Sequence, residues 1–295
     1  MSSQGIPPFG EYVSALLDPG RLMVWAMTHY IRVCAEAILR GQISAPIFQI
    51  GRLRDEAFGR FWVEFTTPPD PNNPPPPRGS STLIPPLLKT AFGTVLDIGP
   101  GTGSQMPLLR SKAISSIYGP EPCTGLHKEL RAKAAENGVA EKYHILPCGV
   151  AASELLPALR GTGTGVTEAY DSDSRHGVFD TIICVRVLCS VPEMERTVRE
   201  LYALLKPGGR MLITEHVVND WRAAKGSVLA RVLQAVYQVL GWGFFIGDCC
   251  LDRGTEKVLR GAAEADGGWD VVELERFAEW SAMPYLSGIL VKKGQ

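Results

Sequence analysis

Three glycines at alternate positions, Gly99, Gly101 and Gly103, close an apolar stretch, Val95-Leu96-Asp97-Ile98, that carries one carboxylate, Asp97. Glycines in this spacing let the backbone turn tightly and approach a ligand where a β-carbon would clash. The intervening Pro100 and Thr102 belong to the same loop. By itself such a run says only that a nucleotide-like ligand approaches the backbone. A dinucleotide fingerprint would need Gly-x-Gly-x-x-Gly, and position 104 is a serine. A second carboxylate, Glu121, stands in Gly119-Pro120-Glu121-Pro122 at the end of the next apolar run. An acid about 20 residues past a glycine loop can hold both hydroxyls of a ribose. The alternative for Glu121, a solvated turn residue, is outweighed by the loop and strand that precede it. With Asp97 ahead of the loop and Glu121 after it, two carboxylates flank the place where such a ligand would lie.

Further along lie the side chains that could serve a reaction. His216 follows the apolar run Arg210–Thr214 and is the first candidate for a general base, because an imidazole titrates near neutrality. Capping the strand or bonding Glu215 is an equally weighted alternative. Arg186 could steady an anionic group or contact the cofactor, against a structural pairing. Val185, close to the end of one strand-like run, and Cys148, Gly149 and Val150, just past another, are further cofactor candidates. Ligands of open α/β sheets bind outside the carboxyl ends of the strands, where all of these fall. His29, Tyr30, Phe58, Trp62, Cys189, Trp242 and Phe245 are candidates for an acceptor pocket, although an aromatic stripe more often forms core. The cysteines are expected as core or supporting residues, since no covalent thiol is needed, and no metal site is expected.

These residues need a scaffold, and the hydrophobic pattern supplies one. Strand-like runs are expected at Thr94–Ile98, Ser115–Tyr118, Tyr143–Leu146, Phe179–Val187, Arg210–Thr214, Trp269–Leu274 and Tyr285–Val291. A helix is expected from Gln105, another over Leu126–Asn137 and an apolar one over Val228–Leu240. Strand–helix alternation with continuous apolar strands predicts a Rossmann-like α/β fold: seven mostly parallel strands with helices on both faces. The glycine-rich segment Gly161–Gly177 has no strand before it and reads as a loop. Seven prolines between Pro68 and Pro77 predict an extended linker over 68–82. It divides an N-terminal helical extension, 1–67, from the domain 83–295.

In that extension, helices are expected over Leu22–Arg40 and Ala45–Phe65. The first is apolar but carries His29, Arg32 and Glu36, so crossing a membrane is disfavoured. Packing on the rest of the protein is expected first, with peripheral contact at a membrane interface as the alternative. A formal charge of -1 gives no footing for nucleic acid. Seven cysteines without a C-x-x-C pair suit reduced thiols, and the N-terminus shows no basic region leading into an apolar run. A cytoplasmic enzyme is the expectation, and the sequence leaves its oligomeric state open.

Asp97-Ile98-Gly99-Pro100-Gly101-Thr102-Gly103 resembles motif I of class I adenosylmethionine-dependent methyltransferases. Phe179-Asp180-Thr181-Ile182-Ile183-Cys184 is similar to their fourth strand, and Leu205-Lys206-Pro207-Gly208-Gly209-Arg210 to the turn into their fifth. The likeness runs from Gly93 to Lys293. Val187-Leu188-Cys189-Ser190-Val191, Thr214-Glu215-His216-Val217 and Gly247-Asp248-Cys249-Cys250-Leu251 resemble methyltransferase-like proteins that methylate alkyl thiols at intracellular membranes, and fungal relatives. Phe58-Gly59-Arg60-Phe61-Trp62 is similar to the fungal group. The resemblance implies adenosylmethionine as cofactor, adenosylhomocysteine as product and a hydrophobic small-molecule acceptor, with secondary metabolism as a setting. Two departures stand out. Many members place an acid after the third strand to bond the adenine, where this chain has Pro147-Cys148-Gly149-Val150. The thiol methyltransferases also begin with a more apolar anchor.

Methyl transfer from a sulfonium is an in-line displacement in which alignment can contribute ~7–11 kcal/mol. A thiol with a pKa near ~8.5 already offers some thiolate at neutral pH, whereas an alcohol needs a base. Two other functions fit the same motifs. The bound sulfonium could stabilise a cyclisation or elimination without transferring its methyl group. A regulatory protein could retain the fold without turnover, although the intact glycine loop argues against that.

Overall fold

A computed structural model describes residues 7–68, 70, 76–168 and 177–294. In chain order its helices are α1 (Phe9–Leu39), α2 (Ala45–Phe48), α3 (Ile50–Thr66), α4 (Ile84–Leu88), α5 (His127–Glu136), α6 (Ala152–Gly161), α7 (Met194–Leu204), α8 (Val228–Val239), α9 (Trp242–Phe245) and α10 (Thr255–Gly261). Its strands are β1 (Gly93–Ile98), β2 (Ile114–Pro120), β3 (Tyr143–Leu146), β4 (Phe179–Val185), β5 (Leu205–His216), β6 (Val271–Phe277) and β7 (Tyr285–Val291).

The strands form one sheet in the order β3-β2-β1-β4-β5-β7-β6. The pairs β1–β2, β1–β4, β2–β3 and β4–β5 are parallel. Strand order reverses between β1 and β4, and the crevice outside the carboxyl ends of such strands is where open α/β sheets bind ligands. The expected Rossmann-like sheet is therefore present. The strands read as continuous apolar runs because they are buried: Val95, Leu96, Ile117, Phe179, Ile182, Ile183, Met211 and Leu212 have no measurable exposure.

Two compact units divide the chain. One comprises Pro76–Glu215, Gly254–Arg276 and Leu286–Gln295; the other comprises Met1–Pro75, His216–Arg253 and Phe277–Tyr285. A contiguous division into 1–67, 68–82 and 83–295 differs from this packing, because it gives 216–253 and 277–285 to the C-terminal domain. Most of the proline-rich segment, and residues 169–176 of the glycine-rich loop, lie outside the described residues.

In the larger unit, α4 and α5 pack on the sheet through Ile84, Leu87, Leu88, Leu130 and Ala134. No α-helix begins at Gln105, contrary to expectation; the glycine loop runs into a single 3-10 turn, Met106–Leu108. Ser111 Oγ takes the Ala113 N–H at 3.1 Å just before β2 begins, so the connection closes without a helix. Met106 and Leu109 are nonetheless fully buried and pin the turn to the core.

In the smaller unit, α1 is longer than expected and runs through Pro19 and Gly20. The proline removes one rung, and in that turn Tyr237 donates its hydroxyl to the Leu16 carbonyl at 3.0 Å. A β-carbon on Gly20 would lie 2.9 Å from the Tyr237 ring, so the glycine sets the approach of α1 to α8. The helix expected over Ala45–Phe65 is two helices, α2 and α3, broken at Gln49 (φ −125°). Buried amides join the two later segments. Asn219 Nδ2 donates to the carbonyls of Glu279 and Ser281, while Gln234 accepts from Asn219 N and donates to Val217 and Leu251.

Candidate functional site

The larger unit carries the glycine loop at the carboxyl end of β1. Gly99, Gly101 and Gly103 all have left-handed backbone, with φ of 55°, 60° and 79°. Gly99 N donates to Pro120 O, and Gly103 N closes a turn on Pro100 O, each at 3.0 Å. Thr102 is buried within this turn. A β-carbon at Gly99 would come 2.6 Å from Val187 Cγ2, so glycine is required there by space as well as by φ.

Both predicted carboxylates are buried beside the loop. Glu121 is 5% exposed and Asp97 equally so. Glu121 Oε2 accepts from Gly101 N and Oε1 from Cys123 N, each at 2.9 Å. Each oxygen keeps a second lone pair for a hydroxyl donor. Asp97 Oδ2 accepts the Tyr143 hydroxyl at 2.7 Å. Burial, opposed by the Tyr143 bond and reinforced by the charge of Glu121, pushes Asp97 up to about 6. Burial also raises Glu121, against its two backbone bonds, and lifts Tyr143 well above the usual phenol range. Two carboxylates that burial penalises, set beside a left-handed glycine loop, suit a ligand that brings positive charge and hydroxyl donors. The donor set thus fits the ammonium, sulfonium and ribose of adenosylmethionine.

The remaining cofactor candidates follow the neighbouring strands. Pro122 is exposed, Val150 is buried, and Cys148 and Gly149 are half-buried. Burial first, then the charge of Glu154, pushes the Cys148 thiol up to about 11, which keeps it protonated at neutral pH. Glu154, in the first turn of α6, accepts from Gly149 N at 2.8 Å. No acid stands directly after β3, and Glu154 engages the backbone of the loop that follows it. Val185 pairs with Thr214 as the last residue of β4.

Arg186 has left-handed backbone (φ 56°) and turns the chain off the sheet. Its Nε donates to Ser80 Oγ at 3.0 Å and its Nη2 to Ser81 Oγ at 2.7 Å. Cys189 is buried, with Sγ 3.6 Å from Ser190 Oγ. Glu215, at the end of β5, has no exposure; its carboxylate accepts from Val187 N and Leu188 N at 2.9 to 3.0 Å.

The smaller unit holds the other candidates. His216 is the last residue of β5 rather than a residue beyond it, and it is buried. Its Nε2 lies 3.1 Å from Cys249 Sγ, and Trp242 Nε1 donates to the same sulfur at 3.0 Å. Glu215, the expected alternative partner, accepts from the Val187 and Leu188 amides. Tyr30 meets Phe244 and Phe245 edge-on, with centroids 5.1 and 6.0 Å apart. Phe58 stacks on Trp62 at 5.6 Å. His29 Nε2 lies 3.2 Å from Glu64 Oε2, and burial lowers its pKa despite that carboxylate.

Sequence reasoning missed Tyr143, Glu215, Ser80, Ser81 and the Cys249–His216 contact. Each acts across a long stretch of chain, so the runs that hold Glu215 and Cys249 do not disclose their partners.

The chain matches a family model described as a methyltransferase domain over residues 73–255. It is 27% identical over 192 residues to thiol S-methyltransferase TMT1B of Rattus norvegicus, covering 65% of this chain and 64% of that one. Over 153 residues it is 28% identical to phosphatidylethanolamine N-methyltransferase of Cereibacter sphaeroides, covering 51% and 63%. Among solved structures, an O-methyltransferase family protein from Burkholderia thailandensis overlaps with a TM-score of 0.49 at 14% identity, covering 83% and 60%. The chain spans less than two-thirds of the length of each of these relatives.

Proposed function

Since this chain belongs to the methyltransferase-domain family, we propose that it transfers a methyl group from S-adenosylmethionine to a heteroatom of a hydrophobic small molecule, leaving S-adenosylhomocysteine. The observation that carries the reading is the pair of buried carboxylates, Asp97 and Glu121, beside the left-handed glycine loop. When bound, adenosylmethionine supplies an electrophilic methyl group on a positively charged sulfur. Asp97 and Glu121 would hold it with the loop Gly99–Gly103, and Cys148–Val150 and Val185 would line the rest. Arg186 is held in place by Ser80 and Ser81 as a fixed positive group.

Similarity to thiol S-methyltransferases favours a thiol acceptor, with hydroxyl and carboxylate next. A thiol needs little help with its proton, so the base matters most for a hydroxyl. For that role we propose His216, oriented through Nε2 by Cys249. The apolar and aromatic candidates Tyr30, Phe58, Trp62, Trp242 and Phe245 support a hydrophobic acceptor.

We place the smaller unit at a membrane surface, from which such an acceptor would partition. Leu17, Val24, Ile31 and Ile38 are exposed at seven-residue spacing along α1, and Val228, Val232, Val236 and Val239 form an exposed stripe on α8. Among the described residues α1 is the one helix long and apolar enough to cross a bilayer, with 22% of its apolar window buried. Arg21, Arg32 and Glu36 lie among its apolar residues, which suits lying in the interface better than spanning.

Incubation with methyl-labelled adenosylmethionine and a panel of lipophilic thiols, phenols and acids should give labelled product, fastest with thiols. Cofactor binding without any labelled acceptor or accumulation of adenosylhomocysteine would rule out methyl transfer. Glu121→Ala should weaken adenosylhomocysteine binding about tenfold or more in calorimetry. An unchanged affinity would remove Glu121 from the site.

A further inference from the structure

Where β4 ends, two backbone N–H groups leave the sheet together, and the structure gives both to one side chain. Val185 is the last ladder residue, paired with Thr214, and Arg186 N still donates to Thr214 O at 2.9 Å. The left-handed Arg186 then swings the chain away from β5. The next two amides, Val187 and Leu188, have no strand opposite them, and buried N–H groups without acceptors are costly. Glu215 follows Thr214 in β5 and meets that need. Its Oε1 accepts from Val187 N at 2.9 Å and Leu188 N at 3.0 Å, and its Oε2 lies 3.0 Å from Val187 N.

The consequence reaches the glycine loop through Val187. Its Cγ2 stands 2.6 Å from the point where Gly99 would carry a β-carbon, so it packs directly over the first glycine. Leu188 on the other side is fully buried, and Ser190 N closes the turn on Val187 O at 2.9 Å. Val187 is therefore held from below by a buried carboxyl group and from either side by core and turn.

We infer that Glu215 is a positioning residue for the glycine loop: its carboxylate fixes the Val187 and Leu188 amides, and Val187 fixes the conformation of Gly99. Glu215 touches neither cofactor nor acceptor in this role. The inference rests on the reading of Gly99–Gly103 as the cofactor loop, and it extends that reading by naming what keeps the loop in its binding shape before ligand arrives. One carboxylate that accepts from two successive amides fixes both, and replacing it weakens the hold on the turn.

The test uses the full-length protein and the variants Glu215→Gln, Val187→Ala and the double variant. In the ligand-free protein, amide exchange over residues 99–103 should quicken about tenfold in Glu215→Gln, and the Kd for adenosylhomocysteine should rise by about the same factor. Val187→Ala should loosen the same amides although the carboxylate remains, and the double variant should be no worse than Glu215→Gln, because both changes cut one chain of contacts. A merely structural role would lower the melting temperature while leaving loop exchange and affinity as in wild type; that result overturns the inference. So does full additivity of the two changes. Should Glu215→Gln fail to fold, Val187→Ala decides alone, and unchanged exchange at Gly99–Gly103 in it is a refutation. Wild-type protein that does not bind adenosylhomocysteine would count against the cofactor reading, while exchange in the free protein would still decide the role of Glu215.

Discussion

Asp97 pairs two properties that pull in opposite directions. A cationic ligand needs it ionised, yet burial in the free protein pushes it up to about 6. Because the folded value lies above the unfolded one of 3.8, its contribution to stability is fully present below the unfolded value and is lost as pH rises through about 6. At pH 8 the free protein therefore carries a buried charge that opposes folding. Asp97→Asn should raise stability at pH 8 by roughly 1–3 kcal/mol, with little change at pH 4. Chemical denaturation at the two values checks this, and equal effects would mean that Asp97 titrates normally. Affinity for adenosylmethionine should fall in wild type as pH drops below about 6, and Asp97→Asn should flatten that limb. Tyr143→Phe removes the bond that lowers the Asp97 pKa, so the acid limb should move to higher pH. Motif spacing made Asp97 and Glu121 legible from sequence. Tyr143, 46 residues away, was not, since nothing local links its hydroxyl to the loop.

At the scale of elements, β3 and β7 fall at their expected ends because their apolar runs are bounded by polar or proline residues. The helix after the glycine loop failed for a reason visible in the chain itself. Only fifteen residues separate β1 from β2, from Gly99 to Ala113, and five of these are spent on the glycine loop. The start of α1 was misjudged in the other direction. Asp18-Pro19-Gly20 reads as a breaker locally, but packing against α8 overrides it, with Tyr237 bonding the backbone of the same turn. Gly20→Val should therefore act as a wedge against the Tyr237 ring and destabilise the protein by about 1–3 kcal/mol, whereas Gly10→Val, facing open space, should cost far less. Thermal denaturation of the two variants separates these outcomes; equal losses would point to helix propensity in place of packing.

For the whole molecule, a mostly parallel sheet of seven strands was readable because buried strands leave continuous apolar runs, whereas the order β3-β2-β1-β4-β5-β7-β6 was not. The discontinuous packing of the smaller unit was not, since it depends on contacts between distant segments. Leu16 of α1 packs with Ala230 and Ala282, and Arg54 of α3 pairs with Asp248 at 2.8 Å. Removing residues 1–67 should thus expose apolar surface on 216–253, and soluble yield should fall sharply compared with removal of residues 1–6 alone. A soluble, monodisperse truncation in gel filtration would contradict this account.

The buried amides of Asn219 and Gln234 bear on how such an enzyme could be recombined. They bind four backbone carbonyls in two segments that are far apart in sequence, with partners fixed in both directions. A chimera that imports only the N-terminal helices from a relative would join a foreign α1 to a native α8. One that imports 216–253 without 277–285 would strand the carbonyls of Glu279 and Ser281. Acceptor preference should therefore travel between relatives only when all three segments are exchanged as a set, and shuffling libraries with a single crossover near the proline-rich segment should return few folded hybrids.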